Sequence, residues 1–219
     1  PVPCVRRVLK ALRHETPDVV AAAARMGLDG PCTYIFKTSY AGQAGKIARG
    51  RVMQGELADG QELTLSGGDK ARAGGLVTFS SPSGKKTDKA LEGEVVAIGK
   101  LEAAMPGMVA SMDGKARSLA QPAFPPATLY SMSISAKDRK DDVRLSAALN
   151  KLAEEDPAIV VAQDPATQET IVSGRGEAHL HVLLERLKRR FGVEAATGRP
   201  KVSYQESLRK PVTQRGRHK

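Results

Sequence analysis

The 219-residue sequence contains no tryptophan, and aromatic residues make up only 4% of it, so any hydrophobic core must be aliphatic. No run approaches the length of a membrane-spanning helix, and no basic-then-apolar leader opens the chain; we therefore expect neither a membrane span nor a secretory signal. The two cysteines, Cys4 and Cys32, are far apart and follow no pairing pattern. This sparse cysteine usage favours a reducing compartment, and we expect a cytoplasmic protein.

Motifs for catalysis are also missing. A phosphate-binding P-loop requires a Gly-Lys pair followed by Ser or Thr, and Gly45-Lys46-Ile47 departs from that pattern at its last position. His179 and His181 are two residues apart, so on a helix they point in different directions and do not favour one metal ion. No nucleophile elbow or Cys–His pair is supported. We therefore expect no catalytic, cofactor-binding or metal-binding residue in this chain.

Positive charge is in excess and unevenly distributed. The formal net charge is +10, and residues 175–219 hold 12 Lys and Arg against four Asp and Glu. A local basic excess is typical of proteins with an anionic partner, most often a nucleic acid. A solvated basic surface or a charged tail would produce the same excess, so charge alone leaves both interpretations open.

Hydrophobic spacing divides the chain into three parts. Apolar residues at helical spacing predict helices in the first 30 residues, with a helix start at Thr16-Pro17-Asp18. From Cys32 to Leu119, short apolar runs separated by Gly, Pro, Ser and Asp predict a small antiparallel barrel, and Leu57-Ala58-Asp59-Gly60 predicts a hairpin within it. Ser118 to Pro126 contains three prolines and predicts a linker.

The third part predicts strands and helices in the order β-α-β-β-α-β. Residues 127–136 alternate as a strand, a turn at Asp164-Pro165-Ala166-Thr167 separates two strand-like runs, and residues 193–204 predict a closing strand. Two helices are indicated by leucine-rich stripes, the first with Leu145, Ala148, Leu149 and Leu152, the second with Leu180, Leu183, Leu184, Leu187 and Phe191. This order is the ferredoxin-like, split β-α-β plan.

The stretch Ser173-Gly174-Arg175-Gly176-Glu177 precedes the second helix. Backbone amides at a helix N-terminus bind phosphate in many proteins, which is one interpretation of the two glycines. Glu177 favours a structural turn over a phosphate site, because its carboxylate complements the helix dipole and would repel an anion. We therefore expect Gly174, Gly176 and Glu177 to form a structural turn in which the glycines serve backbone conformation.

Several motifs together resemble the elongation factor G family of bacterial translation factors. Glu155-Asp156-Pro157, the segment Ser173–Leu180 and the segment Pro200–Glu206 are similar in type and order to that family's third domain. Phe36-Lys37 and residues 50–60 are similar to its second domain. Departures such as Ala178, where the family has Leu, indicate an elongation factor G-like paralogue.

The resemblance implies a middle fragment with two folded domains: an all-β, translation-factor-type β-barrel followed by an α+β ferredoxin-like domain. The implied boundaries are 1–30 for the C-terminal helices of a GTPase domain, 31–118 for the β-barrel (second domain), 119–126 for a linker, 127–205 for the ferredoxin-like (third) domain, and 206–219 for a disordered start of the fourth domain.

The resemblance also implies that the chain docks on the ribosome and relays the GTP state during translocation, without being an enzyme itself. GTP and Mg²⁺ are expected in the missing GTPase domain of a ribosome-dependent GTPase parent. The implied partners are small-subunit rRNA and protein and the parent's own GTPase and fourth domains, with no membrane and a monomeric state. Candidate ribosome contacts are Lys37, Arg49, Arg51, Lys137, Arg139, Lys140, Arg175 and Arg186. A ribosome-recycling or ribosomal-protection paralogue, and a non-enzymatic RNA-binding module, are the alternatives.

Overall fold

A computed structural model of the chain describes residues 4–40, 45–79, 84–119, 127–204, 206–207, 210–211 and 213–216. Nearly all of the predicted linker at 119–126, and part of the predicted fourth-domain start at 206–219, lie outside the described residues. The contacts divide the chain into two compact units. The first comprises Pro1–Ala127 with Ala147–Ile159, and the second comprises Thr128–Ser146 with Val160–Lys219.

Two helices open the first unit: α1 (Val5–Glu15) and α2 (Val19–Arg25). Asp18 caps α2 by accepting a hydrogen bond from the amide of Ala21 at 2.7 Å. Helix α2 buries Ala23, which packs in a cluster with buried residues that include Cys32 and Met53. The helical spacing in α1 is confirmed, but its apolar stripe is 47–59% exposed and consists of Val5, Val8, Leu9 and Leu12.

Ten strands follow among the described residues of the first unit: β1 (Cys32–Tyr40), β2 (Lys46–Gln54), β3 (Leu57–Ala58), β4 (Glu62–Leu65), β5 (Lys70–Arg72), β6 (Gly74–Thr78), β7 (Lys85–Lys86), β8 (Lys89–Ala90), β9 (Val95–Gly99) and β10 (Val109–Ser111). Eight form one antiparallel sheet in the order β5-β4-β10-β1-β2-β9-β6-β7, with β5 and β7 at its edges. The predicted hairpin at Leu57–Gly60 is wrong, because β3 pairs with β8.

A large aliphatic cluster packs inside the sheet of this unit, as the shortage of aromatic residues predicts. Leu63 of β4, Ile35 of β1, Ile98 of β9 and Leu76 of β6 are all essentially inaccessible to solvent and belong to the same cluster. These strands lie near opposite edges of the sheet as well as at its centre. The sheet must therefore curve around its core, because a flat sheet would keep the side chains of its two borders apart.

An arginine near the end of this unit ties two loops together. Arg117 is 9% exposed, and its guanidinium donates two hydrogen bonds to Asp113, at 2.6 and 2.7 Å. Its Nε also donates to Asp29 at 3.2 Å, in the turn that connects α2 to β1. A bidentate pair of this kind fixes both distance and orientation. The arginine thereby holds the segment that follows β10 against the start of β1.

The second unit has the predicted order of elements. They are β11 (Tyr130–Ala136), α3 (Asp142–Glu155), β12 (Val160–Gln163), β13 (Thr170–Gly174), α4 (Glu177–Arg186) and β14 (Ala195–Gly198), and α3 supplies its residues from 147 onward to the first unit. The sheet is antiparallel in the order β12-β13-β11-β14. The predicted turn at 164–167 joins β12 to β13, and the last strand ends at Gly198, before a proline that has no amide to donate.

The side chains of β11 alternate between buried and exposed, and the buried ones mark the face of this sheet that is covered by the rest of the unit. Met132 and Ile134 are buried, whereas Ser131 and Ser135 are exposed. The predicted leucine stripe of α4 is confirmed by the burial of Leu180, Leu183 and Leu187, and a π-helical turn, Leu187–Phe191, continues that helix. Within the described ranges, no helix is both long enough and apolar enough to span a bilayer.

Candidate nucleic-acid interface

Three of the predicted contact residues lie side by side on β1 and β2. Lys37 is the ladder partner of Arg49, and Arg51 lies two residues farther along the same strand, hence on the same face. Ile35 is buried, so regular alternation would also turn Lys37 inward. A register shift between Ile35 and Lys37 inserts Phe36 as a β-bulge and directs Lys37 outward. We call Lys37, Arg49 and Arg51 the basic face.

The two arginines of the basic face are held in place without being neutralised. Arg49 donates a hydrogen bond to the Ser39 hydroxyl at 2.7 Å and lies 5.7 Å from the centre of the Phe79 ring. Arg51 donates from Nε to the carbonyl of Gly93 at 3.1 Å. Within the described residues, none of the three cations forms an ion pair with a carboxylate. Their charge therefore remains available to an anionic partner.

Two aromatic rings accompany these cations. Phe36 is 42% exposed in the bulge beside Lys37, and Phe79, which packs on Arg49, is 43% exposed. Cations together with accessible rings match a single-stranded or looped nucleic acid, whose phosphates pair with the charges and whose bases stack on aromatic side chains. The contribution of Phe79 could not be predicted from the sequence, because it depends on strand pairing that brings β6 toward β2 through β9.

Two of the candidate contacts in the second unit lie at opposite ends of one helix. Arg175 precedes α4 and Arg186 ends it, so these exposed residues are separated by the length of a ten-residue helix, roughly 15 Å. Lys140 is exposed in a 3₁₀ turn, Arg139–Asp141, and the side chain of Arg139 lies outside the described side chains. These residues remain separate candidates.

Lys137 differs from the basic face because its charge is already paired. Its Nζ lies 2.9 Å from one carboxylate oxygen of Glu194, and the Nζ of Lys188 lies 2.7 Å from the other. The hydrogen bond from Lys137, followed by that from Lys188, lowers the pKa of Glu194 to about 2. A carboxylate shared between two lysines reduces what either lysine offers to a further anion.

Replacing both lysines with alanine should raise the pKa of Glu194 from about 2 toward its ordinary value of 4.5. Because the folded-state pKa is depressed, the stabilising contribution of Glu194 is complete above pH 4.5 and is lost as the pH falls toward 2. Carbon-detected NMR titration of the Glu194 carboxyl measures this change directly. Lys201→Ala, which removes the lysine paired with Glu169, is the control and should leave the Glu194 titration unchanged.

The turn before α4 differs from the prediction that both of its glycines serve backbone conformation. Neither Gly174 nor Gly176 has a positive φ in the left-handed region; Gly176 is extended, with φ 172° and open space around it. Gly174 is buried, and a Cβ there would lie 2.7 Å from Leu180 Cδ2 and 2.9 Å from His179 Nδ1. Gly174 is therefore required for close packing of the helix, whereas Gly176 is not.

A histidine occupies part of what would be the phosphate cradle. The amide of Arg175 donates to Nδ1 of His179 at 3.2 Å, so this amide is already satisfied inside the turn. Glu177 is exposed in the first turn of α4, and its carboxylate lies 3.9 Å from Nε2 of His181. Among the described residues, no group of three or more His, Cys, Asp or Glu could hold a metal ion. The sequence could not show that His179 caps the turn.

Comparisons with known proteins agree with the motifs found along the chain. Residues 124–199 match the protein family described as Elongation Factor G, domain III. The chain is 36% identical over 221 residues to an elongation factor G-like protein of Synechocystis sp., a match that covers 98% of this chain and 32% of that protein. It is 32% identical over 189 residues to an elongation factor G-like protein of Thermotoga maritima, covering 86% and 28%.

The fold is similar to a solved structure as well. A crystal structure of a protein from Thermus thermophilus superimposes with a TM-score of 0.74 at 29% sequence identity. The match covers 91% of this chain and 30% of that one. The chain therefore spans about a third of the length of the relatives that it matches.

Proposed function

Because this chain belongs to the elongation factor G family, we propose that it docks a longer, elongation factor G-like translational GTPase on the ribosome and relays the state of the bound nucleotide during translocation. In this proposal the curved eight-stranded sheet is the translation-factor-type β-barrel, and the β-α-β-β-α-β unit is the ferredoxin-like domain. The strand orders support both assignments, and the domain III match at 124–199 supports the second one.

The observation that carries the proposal is the basic face. Lys37, Arg49 and Arg51 form a row of cations that no carboxylate neutralises within the described residues, and Phe36 and Phe79 add accessible rings. Phosphate contacts by such residues position a protein on RNA, and stacking adds contacts that tolerate different bases. We assign this surface to small-subunit rRNA, and we place the protein in the cytoplasm, where translation occurs.

We further propose that GTP and Mg²⁺ are bound by a GTPase domain of the longer protein. The residues of this chain then act by binding and by transmitting a change of state, and they carry out no bond cleavage. The missing P-loop pattern around Gly45-Lys46-Ile47 supports this division. The full-length protein would hydrolyse GTP in a ribosome-stimulated manner.

Replacing Lys37, Arg49 and Arg51 with glutamine should weaken binding of the full-length protein to isolated small ribosomal subunits about tenfold or more near physiological salt. The slope of log K against log salt concentration should also become shallower by about 2, because each phosphate contact contributes about 0.7–0.9. Both quantities can be obtained from fluorescence anisotropy titrations at several salt concentrations.

A variant with the same loss of charge provides the control. Lys188, Arg189 and Lys201 are each paired with a carboxylate, so replacing them with glutamine should change the affinity and the salt slope much less. Equal weakening by both triple variants would show that binding responds only to net charge. Unchanged binding after loss of the basic face would refute the assignment of this surface to rRNA.

A further inference from the structure

A buried lysine lies at the start of β2. Lys46 is 2% exposed, and its Nζ donates hydrogen bonds to Glu154 Oε2 at 2.8 Å and to the carbonyl oxygen of Glu102 at 2.9 Å. Lys46 and Glu154 are separated by 108 positions in sequence, yet both belong to the first compact unit. A buried ammonium group is costly unless it is paired and hydrogen-bonded, so these bonds are required for Lys46 to remain in this position.

Further hydrogen bonds surround this pair. The Tyr40 hydroxyl donates to Glu154 Oε2 at 2.6 Å, and the Tyr40 amide donates to Glu155 Oε1 at 2.7 Å. The hydroxyl of Thr38, which is fully buried, donates to the backbone carbonyl of Glu154 at 3.0 Å. We call Thr38, Tyr40, Lys46, Glu154 and Glu155 the Lys46 cluster. It fastens the last turn of α3 to β1 and β2.

Two cations border the aromatic ring of this cluster. Lys151 lies 5.3 Å from the centre of the Tyr40 ring, and Lys46 lies 5.8 Å from it, so both cations are near the aromatic face. The hydrogen bond from Lys46, followed by that from Tyr40, lowers the pKa of Glu154, and burial together with the bond to Glu154 raises the pKa of Tyr40. The carboxylate is therefore ionised and the phenol protonated at neutral pH.

This attachment differs in kind from the packing of the core. In the two apolar clusters described for the first unit, no member comes from residues 147–159, and the bonds described above between this segment and β1–β2 are polar. Glu154 is 39% exposed, and water can compete for its oxygens. Breaking the cluster would solvate these polar groups and leave the two described apolar clusters of the first unit packed, which makes opening less costly than unfolding the sheet.

We infer that the Lys46 cluster is a releasable latch, closed in this structure, whose opening frees the C-terminal half of α3 from β1 and β2 while the sheet and its core stay folded. The latch goes beyond the proposed docking function and does not depend on it. In the closed state Lys46 is shielded from solvent, and in the open state its ammonium group becomes accessible. The accessibility of Lys46 is therefore a direct measure of the fraction of open latch.

Acylation of lysines by a small, water-soluble succinimidyl ester, followed by peptide mass spectrometry, measures that accessibility in the intact protein. In Glu154→Gln, which replaces the charged acceptor with a neutral one, Lys46 should react roughly tenfold to a hundredfold faster than in the unaltered protein. Thr38→Val, a similar-sized change that removes one hydrogen bond, should give a smaller increase. The amides of β9, in the centre of the sheet, should keep their protection from hydrogen exchange in both variants.

Glu62→Gln is the matched control, because Glu62 pairs with Lys70 at 3.0 Å on the exposed surface of the same unit. It should leave the reactivity of Lys46 unchanged. The inference is overturned if Lys46 stays unreactive in Glu154→Gln and Thr38→Val. It is also overturned if the β9 amides lose protection in parallel with Lys46, since Lys46 would then become accessible only by unfolding. Neither result depends on ribosome binding.

Discussion

Replacement of Arg117 with methionine is expected to lower the free energy of unfolding of the first unit by about 1 kcal/mol or more. Methionine keeps much of the volume but leaves Asp113 without its two hydrogen bonds of 2.6 and 2.7 Å. A hydrogen bond to a charged group contributes about 1.5–3 kcal/mol, and the smaller figure here reflects the solvent that reaches Asp113 and Asp29. Urea denaturation followed by circular dichroism would give the difference.

The same substitution should also change the response to acid. The hydrogen bonds from Arg117 hold the pKa of Asp113 well below its usual range, so the stability from this pair is complete above the ordinary value of 3.8 and is lost as the pH falls below it. Part of the acid sensitivity of the first unit should therefore disappear in Arg117→Met.

Arg72→Met is the control: Arg72 is exposed and makes one hydrogen bond to a backbone carbonyl, so its loss should change stability by less than about 0.5 kcal/mol. Equal effects of the two substitutions would contradict the expected role of Arg117.

Replacement of Gly174 with serine should destabilise the second unit by about 2–3 kcal/mol. The new Cβ would lie 2.7 Å from Leu180 Cδ2 and 2.9 Å from His179 Nδ1, so α4 must move away from β13 or both side chains must leave their positions. Displacing His179 also removes the acceptor for the Arg175 amide. Thermal unfolding and hydrogen exchange of the amides in β13 and α4 would measure this effect.

Gly176→Ser provides the matched control in the same turn. Gly176 has an extended backbone and open space around the position of a Cβ, and serine is a favourable residue at the start of a helix. This substitution should leave stability within about 0.5 kcal/mol of the unaltered protein or raise it slightly. If Gly176→Ser proved as damaging as Gly174→Ser, the explanation by close packing at Gly174 would be wrong.

The elements of the second unit could be predicted because their signals are local. The leucine stripe of α4 repeats every three to four residues, and its three most buried members are Leu180, Leu183 and Leu187. Alternation on β11 depends only on neighbouring residues, and it correctly separated Met132 and Ile134 from the serines between and around them. In both elements the hydrophobic pattern depends only on which face of the helix or strand is buried. A short window of sequence is therefore sufficient to predict the element.

Features that depend on pairing over long distances could not be predicted in this way. The Asp59-Gly60 turn suggested a hairpin, but the partner of β3 is β8, about thirty residues away, and only the closed core selects that partner. The bulge at Phe36, which turns Lys37 outward, is a property of the β1–β2 register. The basic residues of the candidate site were identifiable by type and motif, whereas their separation into neutralised and free cations depends on where Glu194 and other carboxylates lie.

The border strands of the large sheet have a consequence for association between molecules. Strand β5 presents Lys70 and Arg72 and strand β7 presents Lys85 and Lys86, all of them exposed. A strand from a second copy, added to either border through the same residues, would bring these cations close to one another, and like charges opposite each other oppose pairing. Unpaired backbone groups at a sheet border otherwise promote aggregation, and in this protein the lysines and arginine counteract that tendency.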